Sequence, residues 1–233
     1  MPLDEKGSFA AIVTLDGPAG VGKTTLARNV AEALGIFYMD TGAMFRTLAL
    51  RLGSGAEQRS AADLREACRQ WTFSLEGQGN RTRLRCNGEP VGDEIRTEEV
   101  GMLASRIAAV PVIREILLEA QRSLATAGPL VAEGRDMGTV VFPQARHKFF
   151  LDAAPEVRAQ RRLLELRQRG QEADVSELAE QIRQRDALDR NRPIAPLRPA
   201  DDAVIVDTSH LDIAAVQERI LQHIRDKGGL PRI

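Results

Sequence analysis

The first apolar run of the chain spans residues 9–15 and gives way to Asp16-Gly17-Pro18. A β-branched run bounded by turn residues is typical of a buried strand. From Lys23 to Leu34 the apolar positions recur at helical spacing, and Gly35 follows where helices commonly end. Residues 36–39 form a second apolar run. A strand, a helix and a strand within about 30 residues predict a βαβ unit, and with it a parallel sheet carrying helices on both faces.

The pattern changes between residues 71 and 91 to short alternating segments separated by glycine-rich turns. This texture predicts a small antiparallel insert, with strands at 72–75 and 82–86 and a turn at Asn87-Gly88. Helical spacing then returns, and core strands alternate with helices to the end of the chain. The remaining predicted strands cover 130–132, 148–151 and 203–206, and the remaining predicted helices cover 97–110, 111–125, 155–168, 174–191 and 212–226.

The composition is that of an ordinary globular chain, with 43% hydrophobic and 28% charged residues. A length of 233 residues is enough for one compact core with small insertions. The formal net charge of −1 gives no general attraction to nucleic acid or to an anionic membrane, so any anion site must be local. The basic residues are 28 Arg and 4 Lys, and Arg is suited to bidentate phosphate binding.

Other residue types narrow the chemistry and the compartment. Cys68 and Cys86 have no CxxC spacing and no neighbouring His, which argues against a metal site or a disulfide framework. No apolar run reaches 18 residues, and residues 1–6 lack the features of a signal peptide, so we expect a cytoplasmic protein without a membrane partner. The three histidines lie outside every motif, and we expect structural or surface roles for them: His147, His210 and His223.

Residues 17–24 match the P-loop pattern G-x-x-x-x-G-K-[ST] at every fixed position, between a predicted strand and a predicted helix. Backbone N–H groups and the helix N-terminus hold phosphate charge in this motif. Lys23 would reach the β and γ phosphates of ATP, and the Thr24 hydroxyl would meet Mg²⁺. The predicted ATP-binding residues are Gly17, Pro18, Ala19, Gly20, Val21, Gly22, Lys23, Thr24 and Thr25.

The P-loop predicts nucleotide binding but leaves the phosphate acceptor open. The sequence has no N-K-x-D guanine-reading motif, and the chain is short for a motor ATPase. A small-molecule kinase is therefore favoured, and its acceptor could be a nucleotide such as UMP or a hydroxylated metabolite. A nucleotide-binding regulatory protein, in which the P-loop drives a conformational switch, is the alternative from another class.

Further candidate residues follow the second and third core strands, where ligands bind in open α/β sheets. Thr41 and Arg46 follow the strand at 36–39 and are expected to face the P-loop. After the strand at 130–132, Glu133 is placed to organise Mg²⁺ through water, and Arg135 to bind phosphate. Asp136 is suited to accept a hydrogen bond from an exocyclic amine such as N4 of cytosine.

Arginines flank a predicted mobile helical hairpin that would act as a lid. Arg158, Arg161 and Arg162 lie early in its first helix, and Arg192 follows its second. Guanidinium groups that close over transferring phosphates stabilise the charge and exclude water. A phosphate acceptor already carries an oxyanion at neutral pH, so no general base is required.

These motifs together resemble those of bacterial cytidylate kinases. The resemblance covers nearly the whole chain and rests on the P-loop, Asp40-Thr41-Gly42 with Arg46, Ala104-Ser105-Arg106 with Arg114, and the runs at 133–143 and 185–192. It implies an α/β, P-loop NTPase-type three-layer fold with a central parallel sheet, a helical acceptor-binding region carrying the antiparallel insert, and a helical lid. The implied reaction is Mg²⁺-dependent transfer of the γ-phosphoryl group of ATP to CMP or dCMP by a monomer.

The resemblance also implies a division of the chain and a role for each matched residue. The core would comprise 1–40, 128–154 and 191–233. The acceptor region would comprise 41–127, with the antiparallel insert at about 68–94, and the lid 155–190. The residues that would contact cytosine are Ser105, Arg114 and Asp136, and those that would contact the sugar are Arg185 and Asp189. The acceptor phosphate would be held by Arg46, Arg135 and Arg192. Thr41 would also contact the acceptor. The predicted catalytic residues are Lys23, Arg135, Arg158, Arg161 and Arg192. Three positions depart from the family pattern: Thr24, Thr41 in place of a frequent Ser, and Glu133 in place of a common Asp.

Overall fold

The computed structural model describes residues 11–168 and 170–230. Its strands are β1 (Ile12–Asp16), β2 (Phe37–Asp40), β3 (Phe73–Glu76), β4 (Arg83–Cys86), β5 (Glu89–Pro90), β6 (Leu130–Gly134), β7 (His147–Asp152) and β8 (Val204–Asp207). Its α-helices are α1 (Lys23–Leu34), α2 (Thr41–Leu52), α3 (Ala61–Cys68), α4 (Glu98–Ile107), α5 (Pro111–Leu124), α6 (Pro155–Gln168), α7 (Val175–Asn191) and α8 (Ile213–Asp226).

The described residues contain a five-stranded parallel sheet in the order β2-β6-β1-β7-β8. The predicted βαβ unit and the predicted parallel sheet are therefore confirmed. Of the first predicted strand, residues 9 and 10 lie outside the described residues. Every residue of β1 and of β6 is buried, as expected for central strands with helices on both faces.

Alternate residues of the central strands enter two separate apolar layers. Ile12 packs in a cluster with residues of α2 and α5, whereas Val13 and Leu15 pack in a second cluster with residues of α1 and α8. This alternation follows from the two-residue period of a strand. The sheet is thus the middle layer of three, which confirms the predicted architecture.

The strands β3, β4 and β5 form a separate antiparallel sheet inside the predicted insert. Asn87 and Gly88 connect β4 to β5 with φ of +54° and +79°. Two successive positive φ values are typical of the tight hairpin turn that this dipeptide predicts. The insert contacts the core through Tyr38 of β2, whose backbone N–H donates to the Thr82 hydroxyl at 3.2 Å.

Near the site, the structure differs from the sequence-based prediction in the end of one strand and in the presence of one helix. The strand predicted at 130–132 continues through Glu133 and Gly134, because β1 and β2 pair with it on both sides up to those residues. Helix α2 was not predicted, although Asp40 caps it by accepting a hydrogen bond from the N–H of Ala43 at 2.8 Å. The same residue that ends β2 therefore starts α2.

Helices α6 and α7 form the hairpin in the range predicted for the lid. They pack against each other through a small apolar cluster of their own, which includes Leu163 and Leu178. This cluster is separate from the two large layers that cover the sheet. Movement of the hairpin as a lid, and the division of the chain into three parts, remain predictions.

Candidate active site

The P-loop turns from the buried end of β1 into α1. Gly17 has φ of +148°, and a Cβ atom there would lie 2.1 Å from the carbonyl oxygen of Leu151 in β7. Only glycine fits at this position without displacing the backbone. Gly22, with φ of +90°, directly precedes Lys23 at the start of α1. The loop therefore ends at the positive end of a helix dipole, where phosphate is favoured.

Lys23 is buried within the P-loop, and its ammonium donates to the carbonyl oxygen of Pro18 at 2.6 Å. Burial and the positive charge of Arg135 hold the pKa of Lys23 well below its ordinary value. An anion bound beside this ammonium would favour its charged form. Among the other predicted ATP-binding residues, Pro18 and Val21 are buried, Ala19 and Gly22 are half-buried, and Gly20, Thr24 and Thr25 are exposed.

Glu133 is buried at the carboxyl end of β6 and accepts hydrogen bonds from two hydroxyl groups. The Thr24 hydroxyl donates to Oε2 at 3.1 Å, and the Tyr38 hydroxyl donates to Oε1. Burial and the negative charge of Asp40 raise the pKa of Glu133 to about 7. The two residues predicted to serve Mg²⁺ are thus in contact. Sequence reasoning missed Tyr38, because it lies inside an apolar run and is not part of the Asp40-Thr41-Gly42 motif that follows that run.

These residues fit a magnesium ion that arrives with a nucleotide. A hydroxyl and a carboxylate supply the hard oxygen ligands that Mg²⁺ prefers. The described part of the chain contains no group of three His, Cys, Asp or Glu residues that could hold a metal ion. Water and phosphate oxygens would therefore complete the coordination, as is usual for Mg²⁺ in phosphoryl-transfer enzymes.

Asp16, the last residue of β1, was also missed as a site residue. It is buried, and its two carboxylate oxygens accept the backbone N–H groups of Met137 at 2.9 Å and Gly138 at 2.8 Å. Desolvation by burial raises the pKa of Asp16 to about 7. Asp16 thereby fixes the start of the P-loop to the single π-helical turn Met137–Val141 that follows β6.

Three arginines from separate segments lie close to one another, and two of them, Arg135 and Arg185, lie near enough to Lys23 to lower its pKa. Arg46 comes from α2, Arg135 from the loop after β6 and Arg185 from α7. A Cβ atom at Gly101 of α4 would lie 3.4 Å from an Arg46 nitrogen and 3.7 Å from an Arg185 nitrogen. Burial and the charges of Arg135 and Arg46 lower the pKa of Arg185 to about 10. Such mutual repulsion is relieved when an anion binds between the guanidinium groups.

Each guanidinium of this cluster is only partly neutralised by the described residues. Arg135 donates from Nε to Asp189 Oδ2 at 2.8 Å, and Arg46 donates to the carbonyl oxygen of Ile95 at 3.2 Å. The buried Nε of Arg185 has no hydrogen-bond partner among residues 11–168 and 170–230. The cluster therefore retains donors for an anionic ligand.

Asp136 accepts hydrogen bonds from two arginines that come from separate segments of the chain. Its Oδ2 accepts from Arg114 of α5 and its Oδ1 accepts from Arg192 at 3.3 Å. Asp136, Arg114 and Arg192 are all buried. The structure thus brings together a carboxylate and two guanidinium groups that the sequence analysis assigned to base and phosphate binding.

A profile described as cytidylate kinase matches residues 13–226 of the chain. The chain belongs to the cytidylate kinase family. It is 63% identical over 232 residues to the cytidylate kinase of Nitratidesulfovibrio vulgaris strain Hildenborough, covering 99% of this chain and 100% of the relative. The identity is 56% to the cytidylate kinase of Oleidesulfovibrio alaskensis (92% of this chain, 98% of the relative) and 45% to that of Vibrio parahaemolyticus (94% and 98%).

The lid arginines of this cytidylate kinase family member point to different neighbours. Arg158 is buried and makes a bidentate pair with Asp186 of α7, at 3.0 and 2.5 Å. It also donates to the carbonyl oxygens of Ala153 at 2.9 Å and of Ala19 in the P-loop at 3.1 Å. In this structure Arg158 joins α6 and α7 to the P-loop, and its catalytic role remains a prediction.

Three of the predicted site residues remain to be placed: Arg161, Ser105 and Thr41. Arg161 donates to the Thr208 side chain at 3.1 Å and to the Thr208 carbonyl at 2.5 Å, after β8. The Ser105 hydroxyl donates to the carbonyl oxygen of Gly101 within α4 at 3.2 Å. The Thr41 hydroxyl donates to the carbonyl oxygen of Glu133 at 2.7 Å, across the edge of the sheet. Of the three, Thr41 is in direct contact with the residues around the P-loop.

No helix of the described ranges is long and apolar enough to cross a membrane. Both cysteines, Cys68 and Cys86, are buried and free. His147 is buried, and its Nε2 lies 3.1 Å from the carbonyl oxygen of Gly229. The two cysteines and His147 are therefore buried residues inside the fold.

Proposed function

We propose that the chain transfers the γ-phosphoryl group of ATP to CMP or dCMP, giving ADP and CDP or dCDP. The observation that carries this proposal is the cluster of Arg46, Arg135 and Arg185 at the carboxyl edge of the sheet, in which Arg135 and Arg185 lie near Lys23 and Arg135 directly precedes Asp136 in the chain. Two phosphate-bearing ligands need such a concentration of cations, and a base with an exocyclic amine needs a carboxylate acceptor. Membership of the cytidylate kinase family supports the same reaction.

On the donor side, the backbone N–H groups of the P-loop and the start of α1 would hold the ATP phosphates. The Lys23 ammonium would exchange its hydrogen bond with the Pro18 carbonyl for the β and γ phosphate oxygens. Thr24 and Glu133 would hold Mg²⁺, which neutralises charge on those oxygens when it is bound. Burial of Glu133 and Lys23 keeps their interactions strong by excluding water.

On the acceptor side, the phosphate of CMP carries the attacking oxygen. Because its second pKa is near 6, this oxygen is already an anion at neutral pH, and no residue needs to remove a proton. Arg46, Arg135 and Arg192 would hold the acceptor phosphate in line with the donor phosphate. Arg185 and Asp189, which flank the same space, would contact the sugar.

The cytosine ring would lie beside Asp136. The Asp136 carboxylate, oriented by Arg114 and Arg192, can accept the N4 amine, and Arg114 can donate to O2 or N3 of the ring. Uracil presents an oxygen where cytosine presents the amine, so it would face a carboxylate and lose this hydrogen bond. Ser105 would reach the base only if its hydroxyl leaves the Gly101 carbonyl.

We further propose that α6 and α7 close as a lid over the phosphates during turnover, and that the chain works as a cytoplasmic monomer. The separate apolar cluster between α6 and α7 supports movement of the hairpin as one unit. The free cysteines support a reducing compartment.

The test is ADP formation with ATP and Mg²⁺, with CMP, dCMP, UMP, AMP and GMP offered separately and each product identified by chromatography. We expect CDP and dCDP, and at least tenfold lower kcat/KM with UMP. Lys23→Met is the matched control, since it should abolish transfer to every acceptor. ADP release that is indifferent to CMP would favour the regulatory switch, and phosphorylation of none of the five acceptors would overturn the acceptor assignment.

A further inference from the structure

The phenol of Tyr38 and the carboxylate of Glu133 meet because of the register between β2 and β6. Asp40 of β2 pairs with Glu133 of β6, and Tyr38 lies two residues before Asp40. Residues two apart on a strand point to the same face, and the step between them is about 6.6 Å. A tyrosine side chain is long enough to span this step, so the Tyr38 hydroxyl approaches Oε1 of Glu133 in a direction parallel to the strands.

The other oxygen of Glu133 is held from a different direction. The Thr24 hydroxyl, at the start of α1, donates to Oε2 at 3.1 Å. With one donor on each oxygen, the side-chain torsions of Glu133 are restricted to a single orientation. A glutamate has one methylene more than an aspartate, so it has more side-chain rotational freedom to lose when it is fixed.

Tyr38 is itself held at both ends. The guanidinium of Arg28 lies over its ring, 4.5 Å from the centroid, and Arg28 also donates to the carbonyl oxygen of Asn80 at 2.9 Å. The backbone N–H of Tyr38 donates to the Thr82 hydroxyl. Asn80 and Thr82 both belong to the insert, so the insert fixes the phenol that fixes Glu133. The Tyr38 side chain is buried, and water does not compete for its hydroxyl.

We propose that Tyr38 is a positioning residue for the metal-organising carboxylate, holding Oε1 of Glu133 so that Oε2 stays directed to Thr24 and the incoming Mg²⁺. The inference rests on the proposed function, because it presumes that Mg²⁺ arrives at Thr24 and Glu133 with ATP. A partner that orients a metal-organising group supports affinity for the ion without touching it, and its loss typically weakens binding by 10- to 100-fold.

The test measures binding of Mn²⁺ by electron paramagnetic resonance, in the presence of a nonhydrolysable ATP analogue. Tyr38→Phe keeps the ring under Arg28 and removes only the hydroxyl. We expect about tenfold weaker Mn²⁺ binding in this variant, with the affinity for the metal-free analogue unchanged within twofold. At low Mg²⁺ the variant should turn over slowly, and raised Mg²⁺ should restore kcat. Urea unfolding checks that Tyr38→Phe remains folded.

A double-variant cycle supplies the matched control. The shorter carboxylate of Glu133→Asp should not reach the phenol, so adding Tyr38→Phe to it should change Mn²⁺ affinity by less than twofold. An equal tenfold loss in both backgrounds would mean that Tyr38 acts through something other than Glu133. Equal Mn²⁺ affinity of wild type and Tyr38→Phe would overturn the proposal outright.

A spectroscopic readout separates this proposal from the proposed function. Tyr38 is the single tyrosine of the chain. Binding of Mn²⁺ with the analogue should therefore change the near-ultraviolet tyrosine absorption in wild type and not in Tyr38→Phe. If wild type binds no Mn²⁺ with the analogue, the proposed function fails. If it binds Mn²⁺ without a tyrosine signal, only the role of Tyr38 fails.

Discussion

Replacing Arg158 by alanine tests whether this residue is an anchor of the lid or a free cation above the phosphates. The bidentate pair with Asp186 is almost fully buried, with 2% of the Arg158 side chain and 12% of the Asp186 side chain exposed. Removing one partner of a buried pair leaves the other charge uncompensated, which costs about 3–5 kcal/mol of the free energy of unfolding. For a domain of this size that loss lowers Tm by about 6–20 °C.

The assay is urea or thermal unfolding, since both roles predict a loss of activity and kinetics alone cannot separate them. Arg162→Ala is the matched control. Arg162 lies on the same helix and pairs with the exposed residues Glu98 and Glu165, so its loss should cost less than about 1 kcal/mol. Replacing both members of the buried pair by apolar side chains, as Arg158→Met with Asp186→Leu, should recover most of the stability. Equal destabilisation by Arg158→Ala and Arg162→Ala would refute the reasoning.

Three further predictions follow from the charges of the site. Asp136→Asn should raise the UMP-to-CMP ratio of kcat/KM by about tenfold, because an amide can donate to uracil O4; an unchanged ratio in steady-state assays would remove Asp136 from base reading. Arg185→Met should raise the free energy of unfolding by about 1–3 kcal/mol, because burial and neighbouring arginines destabilise the charged guanidinium and lower its pKa to about 10. The same variant should raise KM for CMP more than tenfold. Urea unfolding that shows no gain would contradict this. The pKa of Asp16 is raised to about 7, so below that pH the folded protein holds a proton that the unfolded chain has released. The free energy of unfolding of the protein should therefore fall by about 1.4 kcal/mol between pH 6 and pH 8. The stability of Asp16→Asn should lack this contribution, and identical pH dependence in the two proteins would argue against it.

Much of the fold was predictable because its elements carry strong local signals. The strand, P-loop and helix at 12–34 combine an apolar run, glycines at turn positions and a helical period. Asn87-Gly88 likewise predicted its hairpin turn from two residues. Helix α2 was not predicted although Met44, Leu48 and Leu52 recur at helical spacing, because Asp40-Thr41-Gly42 at its start also fits a turn that binds a ligand.

Parts of the site depend on tertiary contacts that no local pattern encodes. The end of β6 extends beyond its apolar run because two neighbouring strands pair with Glu133. The contacts of Tyr38 and Asp16 with residues more than 90 positions away follow from strand register and from the π-helical turn. Arg158 was predicted as a lid arginine because it lies early in a predicted helix, but its pairing with Asp186 depends on the packing of α6 against α7.

The bonds from Asp16 to the backbone of residues 137 and 138 bear on the redesign of acceptor preference. Since the carboxylate accepts from main-chain N–H groups, these two bonds depend on where the backbone of the segment lies and not on which side chains it carries. Insertions or deletions between Gly134 and Gly138 would instead move those N–H groups and disturb donor binding at a distance. Libraries directed at new acceptors should therefore vary Asp136, hold the length of this segment constant, and keep Gly134 and Gly138, where a Cβ atom would lie 2.8 Å from the Thr41 hydroxyl and 3.1 Å from the Thr14 hydroxyl.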